Sequence, residues 1–222
     1  MIDTSGIFAV WKPKGPTSND IVQQIKRITG QKKVGHAGTL DPLAEGILVI
    51  AIGREATKQL SVVVAKEKEY RAMIQLGLES TTDDAEGEKT IVNENPPAGG
   101  PTQDEVERVL KKFVGDILQT PPIYSAIKVQ GKEAYKLARK GAAVTLKPRR
   151  VLIKKIILIS YEWPLLIIDV ITGPGVYVRS LARDIGRELG VGGYLGGLVR
   201  TRVGEYTKEK CAGLADLKKI SN

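Results

Sequence analysis

Residues 34–53 read VGHAGTLDPLAEGILVIAIG, and this stretch decides both the fold and the candidate site. Its second half, residues 47–52, is an unbroken apolar run bounded by glycines, which predicts a buried strand. Its first half places Asp41 next to Pro42, which fixes the backbone angle φ, and between Gly38 and Gly46, which allow tight turns on either side. Functional side chains are commonly carried on a loop anchored by such a strand. An Asp-Pro pair also starts ordinary turns, so the pattern alone leaves both interpretations open.

Outward from this stretch, helix caps and apolar periodicity define the other elements. Thr17 or Ser18 can cap the first helix and Gly30 ends it, while Thr102 and Glu105 form a capping box before another helix. The predicted helices cover about residues 18–29, 103–114 and 178–189, with short helices within 56–65 and 131–141. The predicted strands cover 47–52, 69–76, 151–159 and 165–171, with weaker strand signals at 90–92 and within 119–129.

Strands and helices are interleaved without a strict βαβ rhythm, so the sequence predicts one α+β domain rather than a doubly wound α/β fold. Residues 77–101 are rich in Gly, Pro, Asn and acidic residues and predict a long surface loop. The acidic run at 83–88 within it is interpreted as solvated rather than as a cation site. Residues 190–195 (GVGGYL) lack the last glycine of a dinucleotide-binding fingerprint.

The charge balance points to a polyanionic partner. The chain of 222 residues has 34 Lys and Arg against 25 Asp and Glu, a net charge of +9. A sequence pI near 9.5 is typical of nucleic-acid-binding proteins, although a merely basic soluble protein would share it. The basic residues cluster at 26–36, at 147–155 and at Arg200 and Arg202, and the acidic residues concentrate elsewhere. This segregation predicts one basic face.

Two rare residue types exclude several kinds of chemistry. A single cysteine, Cys211, excludes an internal disulfide and a thiolate metal cluster. A single histidine, His36, leaves no His-rich metal site. Apolar runs are too short to span a membrane and the N-terminus lacks the pattern of a secretory signal, so we expect a cytoplasmic protein without a metal or cofactor.

Five motifs, in order along nearly the whole chain, resemble the TruB family of tRNA pseudouridine synthases. One of them matches the family pattern GHxGxLDPxAxGxL around Asp41. The motifs are residues 11–19 (WKPKGPTSN), 35–48 (GHAGTLDPLAEGIL), 68–70 (KEY), 121–128 (PPIYSAIK) and 175–181 (GVYVRSL). The resemblance implies the pseudouridine synthase fold, with a central mixed, mostly antiparallel sheet flanked by helices and loops.

The resemblance also implies roles for individual residues. Asp41 would be the catalytic nucleophile, and Arg179 the charge partner that keeps it ionised. Tyr70 would stack on the uracil after it is flipped out of the RNA and assist the later proton transfer. His36 would contact the RNA beside the extruded nucleotide. The remaining pocket residues by resemblance are Tyr177 and Leu198, together with Lys12, which could instead support the loop.

Several basic residues are candidates for phosphate contacts, which would make RNA affinity depend strongly on salt. By resemblance, residues 120–147 form a mobile insertion that orders on RNA. The candidates are Lys128, Lys132, Arg139, Lys140, Arg149, Arg150, Arg200 and Arg202.

The family also suggests the organisation and target of the chain. We expect residues 1–210 to form the catalytic domain and 211–222 a tail, a short form without the C-terminal RNA-binding (PUA) domain. The family's target is uridine 55 in the T-arm of tRNA. We also expect a monomeric enzyme that needs no cofactor and no protein partner. Two alternatives stay open: a non-catalytic protein that binds or folds RNA, and the same chemistry on another structured RNA.

Overall fold

The structure is a computed structural model that describes residues 6–92, 99–129 and 131–213. The described residues form two compact units, one made of residues up to Arg71 and from Leu198 onward, the other of Ala72–Gly197. Two strands, β4 and β12, continue from one unit into the other. The elements touching the first unit are β1 Gly6–Lys12, α1 Ser18–Thr29, β2 Val34–Ala37, β3 Ala44–Ile52, α2 Arg54–Lys58, α3 Leu60–Val64, β4 Lys68–Leu76, β12 Gly193–Val203, β13 Tyr206–Thr207, a 3₁₀ turn at Lys208–Lys210, and β14 Cys211–Ala212.

The second unit holds the remaining strands and helices. These are β5 Leu78–Ser80, β6 Lys89–Ile91, α4 Gln103–Lys112, β7 Gly115–Gln119, β8 Lys128–Val129, β9 Lys132–Glu133, α5 Ala134–Ala138, β10 Arg149–Glu162, β11 Leu165–Thr172 and α6 Val178–Glu188. Strand β11 pairs antiparallel with β10, and β10 pairs antiparallel with β7. The short pairs β5–β6 and β8–β9 form separate two-stranded sheets.

In the first unit, β3 is the central strand. One of its edges pairs antiparallel with β1 from Gly46 to Ile52. Its other edge is divided, because β2 pairs with residues 49–52 and β12 pairs in parallel with residues 44–46. The loop between β2 and β3 leaves the sheet at the point where β3 changes partner. The α+β class and the mixed, mostly antiparallel sheet are therefore confirmed.

Strand β3 is buried on both faces, which explains its continuous apolar sequence. On one face Leu48 and Ile50 pack with Ile21 and Ile25 of α1. On the other face its odd-numbered residues, represented by Val49, pack with side chains of β1, β2, α3 and β12. Strand β3 is thus a rigid base for the loop that precedes it, which carries Asp41.

Most of the predicted elements are confirmed. The first helix has its capping box at Thr17 and ends at Gly30 in the left-handed conformation, as the sequence predicts. The turn into a strand predicted within 119–129 leads only to the two-residue strand at 128–129, and the helix predicted within 56–65 is two short helices. Strand β12 was not predicted, because GYLGG at its start is typical of a loop. Gly193 allows a close approach to α6, because a Cβ at this position would lie only 3.0 Å from the Ala182 carbonyl oxygen.

Candidate active site

The loop that carries Asp41 is fixed through its backbone on both sides of the carboxylate. The Ser18 hydroxyl at the start of α1 accepts from the Leu40 N–H (2.8 Å) and donates to the Leu40 carbonyl (2.9 Å). On the other side, the Gly15 N–H donates to the Pro42 carbonyl (2.9 Å). Because the neighbours of Asp41 are held, its half-buried side chain is presented from a rigid support.

Two buried cations form hydrogen bonds with backbone carbonyls at the two ends of the same loop. Lys12, 0% exposed at the end of β1, donates from Nζ to the Ala44 carbonyl (2.7 Å). Arg200, 1% exposed in β12, donates from Nη2 to the Gly38 carbonyl (2.8 Å) and from Nε to the Ile47 carbonyl (2.7 Å). Arg200 therefore supplies hydrogen bonds where β3 changes partner, which satisfies backbone groups that would otherwise be buried without one.

Gly46 of the motif is required by the approach of β12. Its φ is +119°, and a Cβ would lie 2.2 Å from the carbonyl oxygen of Arg200, its register partner. Every side chain is therefore excluded at this position. The motif glycine permits the close contact that brings the Arg200 guanidinium beneath the loop.

Tyr70 and Lys68 extend the cluster along β4. Tyr70 is 7% exposed, and its phenol accepts a side-chain hydrogen bond from Arg200. Lys68, also buried, donates from Nζ to the Val64 and Lys66 carbonyls, both at 2.8 Å. Tyr70 is thus held by the same arginine that holds the Asp41 loop. The motif contains Lys68, but no role for it was predicted.

The environment of the loop is electropositive. Burial, with a smaller effect from the neighbouring Arg200, lowers the pKa of Lys68 to about 8. Burial also lowers the pKa of Lys12, whereas the nearby Asp41 carboxylate raises it. The attraction is mutual, so Lys12 favours the ionised form of Asp41, which is the form that a carboxylate nucleophile needs.

His36 and Leu198 lie on the two strands that share one edge of β3. His36 is half-buried in β2; burial lowers its pKa, with a smaller effect from Arg200, so the ring is neutral at pH 7. Its Nδ1 is buried and has no hydrogen-bond partner among the described residues. Leu198 is half-buried in β12 and pairs with Ala44, immediately after the loop.

Arg179 lies in the second unit, at the start of α6 as predicted, and is 6% exposed. Its Nη2 donates to the Tyr124 carbonyl (2.8 Å), and its Nη1 donates to the Thr82 carbonyl (3.2 Å) and contacts Asp84 Oδ2 (3.3 Å). The guanidinium is therefore held in one orientation. Its predicted pairing with Asp41 stays a prediction.

The solvated acidic loop predicted at residues 83–88 is wrong for its first two members. Asp84 is 3% exposed and accepts from the Glu86 N–H (3.0 Å) and the Thr82 hydroxyl, besides its contact with Arg179. Asp83 forms an ion pair with Arg183 (2.6 Å). Burial raises the pKa of Asp83, and Arg183 opposes this effect.

A signal for these buried pairs was present in α6. Its arginines Arg179, Arg183 and Arg187 recur every four residues and so lie on one face of the helix. The third of them pairs with Glu79 at 2.7 Å. A row of arginines on one helix face needs carboxylates opposite it, and the acidic run at 79–84 supplies them.

Tyr177 precedes α6 and is held from two sides. Its N–H donates to the Gln119 amide oxygen (2.8 Å), and the Gln119 amide nitrogen donates back to the Tyr177 carbonyl (3.1 Å). The Arg149 guanidinium lies 5.2 Å from the centre of the Tyr177 ring and donates to the Gly175 carbonyl (2.9 Å). Sequence reasoning missed Gln119, which no motif contains.

The predicted phosphate contacts differ in their burial and in their partners. Arg200 is buried and bonded to backbone carbonyls, so its prediction as a phosphate contact is wrong. Arg202 forms ion pairs with Glu67 (2.5 Å) and Glu69 (3.1 Å), which neutralise it. Lys12, which was not among them, supports the Asp41 loop, the alternative role that the sequence left open for it. Arg149 is half-buried, and the exposed members are Lys128, Lys132, Arg139, Lys140 and Arg150.

In the ranges that the structure describes, each helix is too short or too polar to cross a lipid bilayer. Within the same ranges, no group of three or more His, Cys, Asp or Glu side chains is placed to hold a metal ion.

Comparison with solved structures defines the class of the fold. The crystal structure of a Cbf5-Nop10-Gar1 complex contains a chain that is 30% identical and aligns with a TM-score of 0.74 over 97% of this chain. A structure of an H/ACA RNP bound to a substrate RNA containing 2'-deoxyuridine gives a TM-score of 0.71 at 28% identity. The chain spans about half the length of these solved chains, 54% and 53%. The fold is that of the pseudouridine synthases.

Sequence comparison identifies the family. Residues 26–178 match the family described as TruB family pseudouridylate synthase (N terminal domain), and residues 179–222 match the tRNA pseudouridylate synthase B C-terminal domain. The chain therefore belongs to the TruB family, and it is an enzyme, an isomerase. A protein of Francisella philomiragia named tRNA pseudouridine synthase B is 43% identical over 99% of this chain and 72% of its own length. A protein of the same name from Thermobifida fusca is 44% identical over 96% of this chain and 74% of its own.

Proposed function

We propose that the chain isomerises uridine 55 in the T-arm loop of tRNA to pseudouridine, with Asp41 as the nucleophile. The observation that carries this proposal is the Asp41 loop itself, whose backbone is fixed at each flank and underlain by Lys12 and Arg200. Such rigidity and buried positive charge suit one ionised carboxylate that must attack from a defined position.

The reaction is balanced within one nucleotide. The C1'–N1 glycosidic bond breaks, the base rotates and a C1'–C5 bond forms, while C5 loses a proton and N1 gains one. Asp41 forms the transient covalent bond to the nucleotide. Tyr70, whose phenol is held by Arg200, stacks on the flipped uracil and assists the removal of the C5 proton. Arg179 is the charge partner of Asp41.

Binding of the flipped nucleotide falls to the remaining pocket residues. His36 contacts the RNA, and its buried Nδ1 has unused hydrogen-bonding capacity among the described residues. Tyr177 and Leu198 line the pocket. Lys128, Arg139 and Arg150 contact phosphates outside it, which their exposure permits.

Transfer RNA is supported as the substrate by the names of the relatives and by the net charge of +9. We also propose that the enzyme acts as a cytoplasmic monomer without a protein partner, and that residues 120–147 order on RNA. The division into a catalytic domain at 1–210 and a tail belongs to the same proposal.

The test is conversion of an unmodified tRNA transcript, with pseudouridine mapped by position, by the wild type and by Asp41→Asn. A transcript with cytidine at position 55 is the substrate control. We expect product at position 55 with the wild type alone. A wild type that binds the transcript but makes no pseudouridine would instead establish the RNA-binding alternative, and product at another position would refute the proposed target.

A further inference from the structure

Both ends of segment 120–148 meet at one point of the second unit. Gln119 is the last residue of β7 and Arg149 the first of β10, and they are direct partners across the antiparallel ladder. Both side chains contact the short stretch Gly175–Tyr177 that precedes α6. Tyr177 is thus the residue on which the two ends of the segment converge.

The contact from Gln119 is specific for an amide. Gln119 is 1% exposed, and its side chain both accepts from the Tyr177 N–H and donates to the Tyr177 carbonyl. A carboxylate would lack the donor, and an apolar side chain would leave both backbone groups without these partners. This exchange fixes the backbone at Tyr177 and hence the direction in which its side chain leaves.

The contact from Arg149 fixes the ring. Its guanidinium lies over the Tyr177 ring, and Nη2 donates to the carbonyl of Gly175, whose φ is +82°. Its Nε is buried and has no hydrogen-bond partner in the described part of the chain. An arginine can combine stacking and hydrogen bonding in this plane, whereas a lysine of equal charge cannot.

The next residue offers a contrast. Arg150 follows Arg149 on the strand, so its side chain points to the opposite face, and it is exposed. A general role in attracting phosphate would suit Arg150 equally well or better. The position of Arg149 is instead specific to Tyr177.

We propose that Arg149 and Gln119 are positioning residues that set the orientation of Tyr177, and that Arg149 is not a phosphate contact. The inference rests on the proposed function for the placement of Tyr177 in the uridine pocket. The two ends of segment 120–148 then belong to the support of that pocket. A change in the backbone where the segment begins and ends would therefore also change the orientation of the Tyr177 ring.

The experiment compares Arg149→Lys and Arg149→Gln with Lys111→Gln, an exposed charge on helix α4 of the same unit and outside the basic clusters. Three quantities are measured: the single-turnover rate at saturating tRNA, the salt dependence of tRNA binding, and the melting temperature. We expect both Arg149 variants to lose about tenfold or more in rate, with binding and its salt dependence as in the control. Gln119→Glu should lose rate in the same way.

The opposite pattern would overturn the inference. If Arg149→Lys keeps the wild-type rate, charge alone is sufficient and positioning fails. If Arg149→Gln reduces the slope of binding against salt by about one and leaves the saturated rate intact, Arg149 is a phosphate contact.

A readout without RNA separates this inference from the proposed function. In protein labelled with fluorotyrosine, the Tyr177 resonance is assigned by its loss in Tyr177→Phe. We expect it to shift or broaden in Arg149→Lys and not in Lys111→Gln. An unchanged resonance would contradict positioning even in an active enzyme, whereas a wild type without product would contradict only the proposed function.

Discussion

Buried cations are satisfied differently in the two units of the molecule. In the first unit, Lys12, Lys68 and Arg200 donate mainly to backbone carbonyls, and Arg200 also to the phenol of Tyr70. In the second unit, Arg183 and Arg187 of α6 pair with the carboxylates of Asp83 and Glu79. The first arrangement retains positive charge beneath the Asp41 loop, whereas the second largely cancels it. The comparison separates a site that stabilises an anion from a framework that fixes a helix to a loop.

The largest effect is expected from Arg200→Met. Removing the guanidinium leaves the Gly38 and Ile47 carbonyls without its donors and frees both the Asp41 loop and Tyr70. We expect a loss of about 2–4 kcal/mol in the free energy of unfolding and a fall of about a hundredfold or more in the single-turnover rate. Urea unfolding and rate measurements check both values, with Arg200→Lys as the variant that keeps the charge. Stability and rate close to the wild type would contradict the role assigned to Arg200.

The second prediction tests whether charge is cancelled in the other unit. Arg183→Met leaves the buried Asp83 carboxylate without its arginine. It should lower the free energy of unfolding by about 3 kcal/mol. Asp83→Asn in the same chain should restore part of that loss, because asparagine tolerates the positive φ of 61° and carries no charge. A double-mutant cycle by urea unfolding measures the coupling. Additive losses would show that the pair does not act as a unit.

The third prediction concerns pH. The pKa of Lys68 is about 8 in the folded chain and has its ordinary value of 10.5 when the chain is unfolded, so between these pH values the unfolded chain binds the proton more tightly. Stability should therefore rise with pH in this window by about 2–3 kcal/mol from this group, a contribution that Lys68→Met removes. Unfolding free energies at pH 8, 9 and 10 check the difference between the two proteins. Parallel curves would contradict the burial of a proton-binding lysine.

The smallest effect is expected at the exposed end of the same helix. Arg187 pairs with Glu79, but their side chains are 57% and 31% exposed. Arg187→Ala should therefore lower the free energy of unfolding by less than about 1 kcal/mol, and this difference should disappear in high salt. Melting curves at low and high salt measure it beside Arg183→Met. A cost as large as that of Arg183→Met would remove the distinction between buried and exposed pairs on this helix.

Local sequence signals predicted the elements that local physics determines. The cap at Thr17, the left-handed end at Gly30 and the apolar run of β3 all follow from neighbouring residues, and each is confirmed. Strand β12 was missed because its glycines serve contacts with residues distant in sequence, such as that of Gly193 with α6. Propensity read along the chain cannot show such a contact.

The candidate site shows the same division. The motif drew attention to Asp41 and Tyr70, whose roles stay predictions. It could not show that Arg200 is buried beneath the loop, because burial depends on the parallel pairing of β12 with β3. For the same reason Asp84 was taken for a solvated residue, since its partner Arg179 is far along the chain.

The position of Gln119 opposite Arg149 has a consequence for how such a chain can diversify. Segment 120–148 starts and finishes at neighbouring points of one ladder, so a longer or shorter excursion can be inserted there without altering the register of β7 and β10. The pairing of β7 with β10 would not change, provided that Gln119 and Arg149 at the junction are kept. The junction is thus a place where the length and sequence of segment 120–148 can change, by evolution or by design, while the rest of the fold is inherited intact.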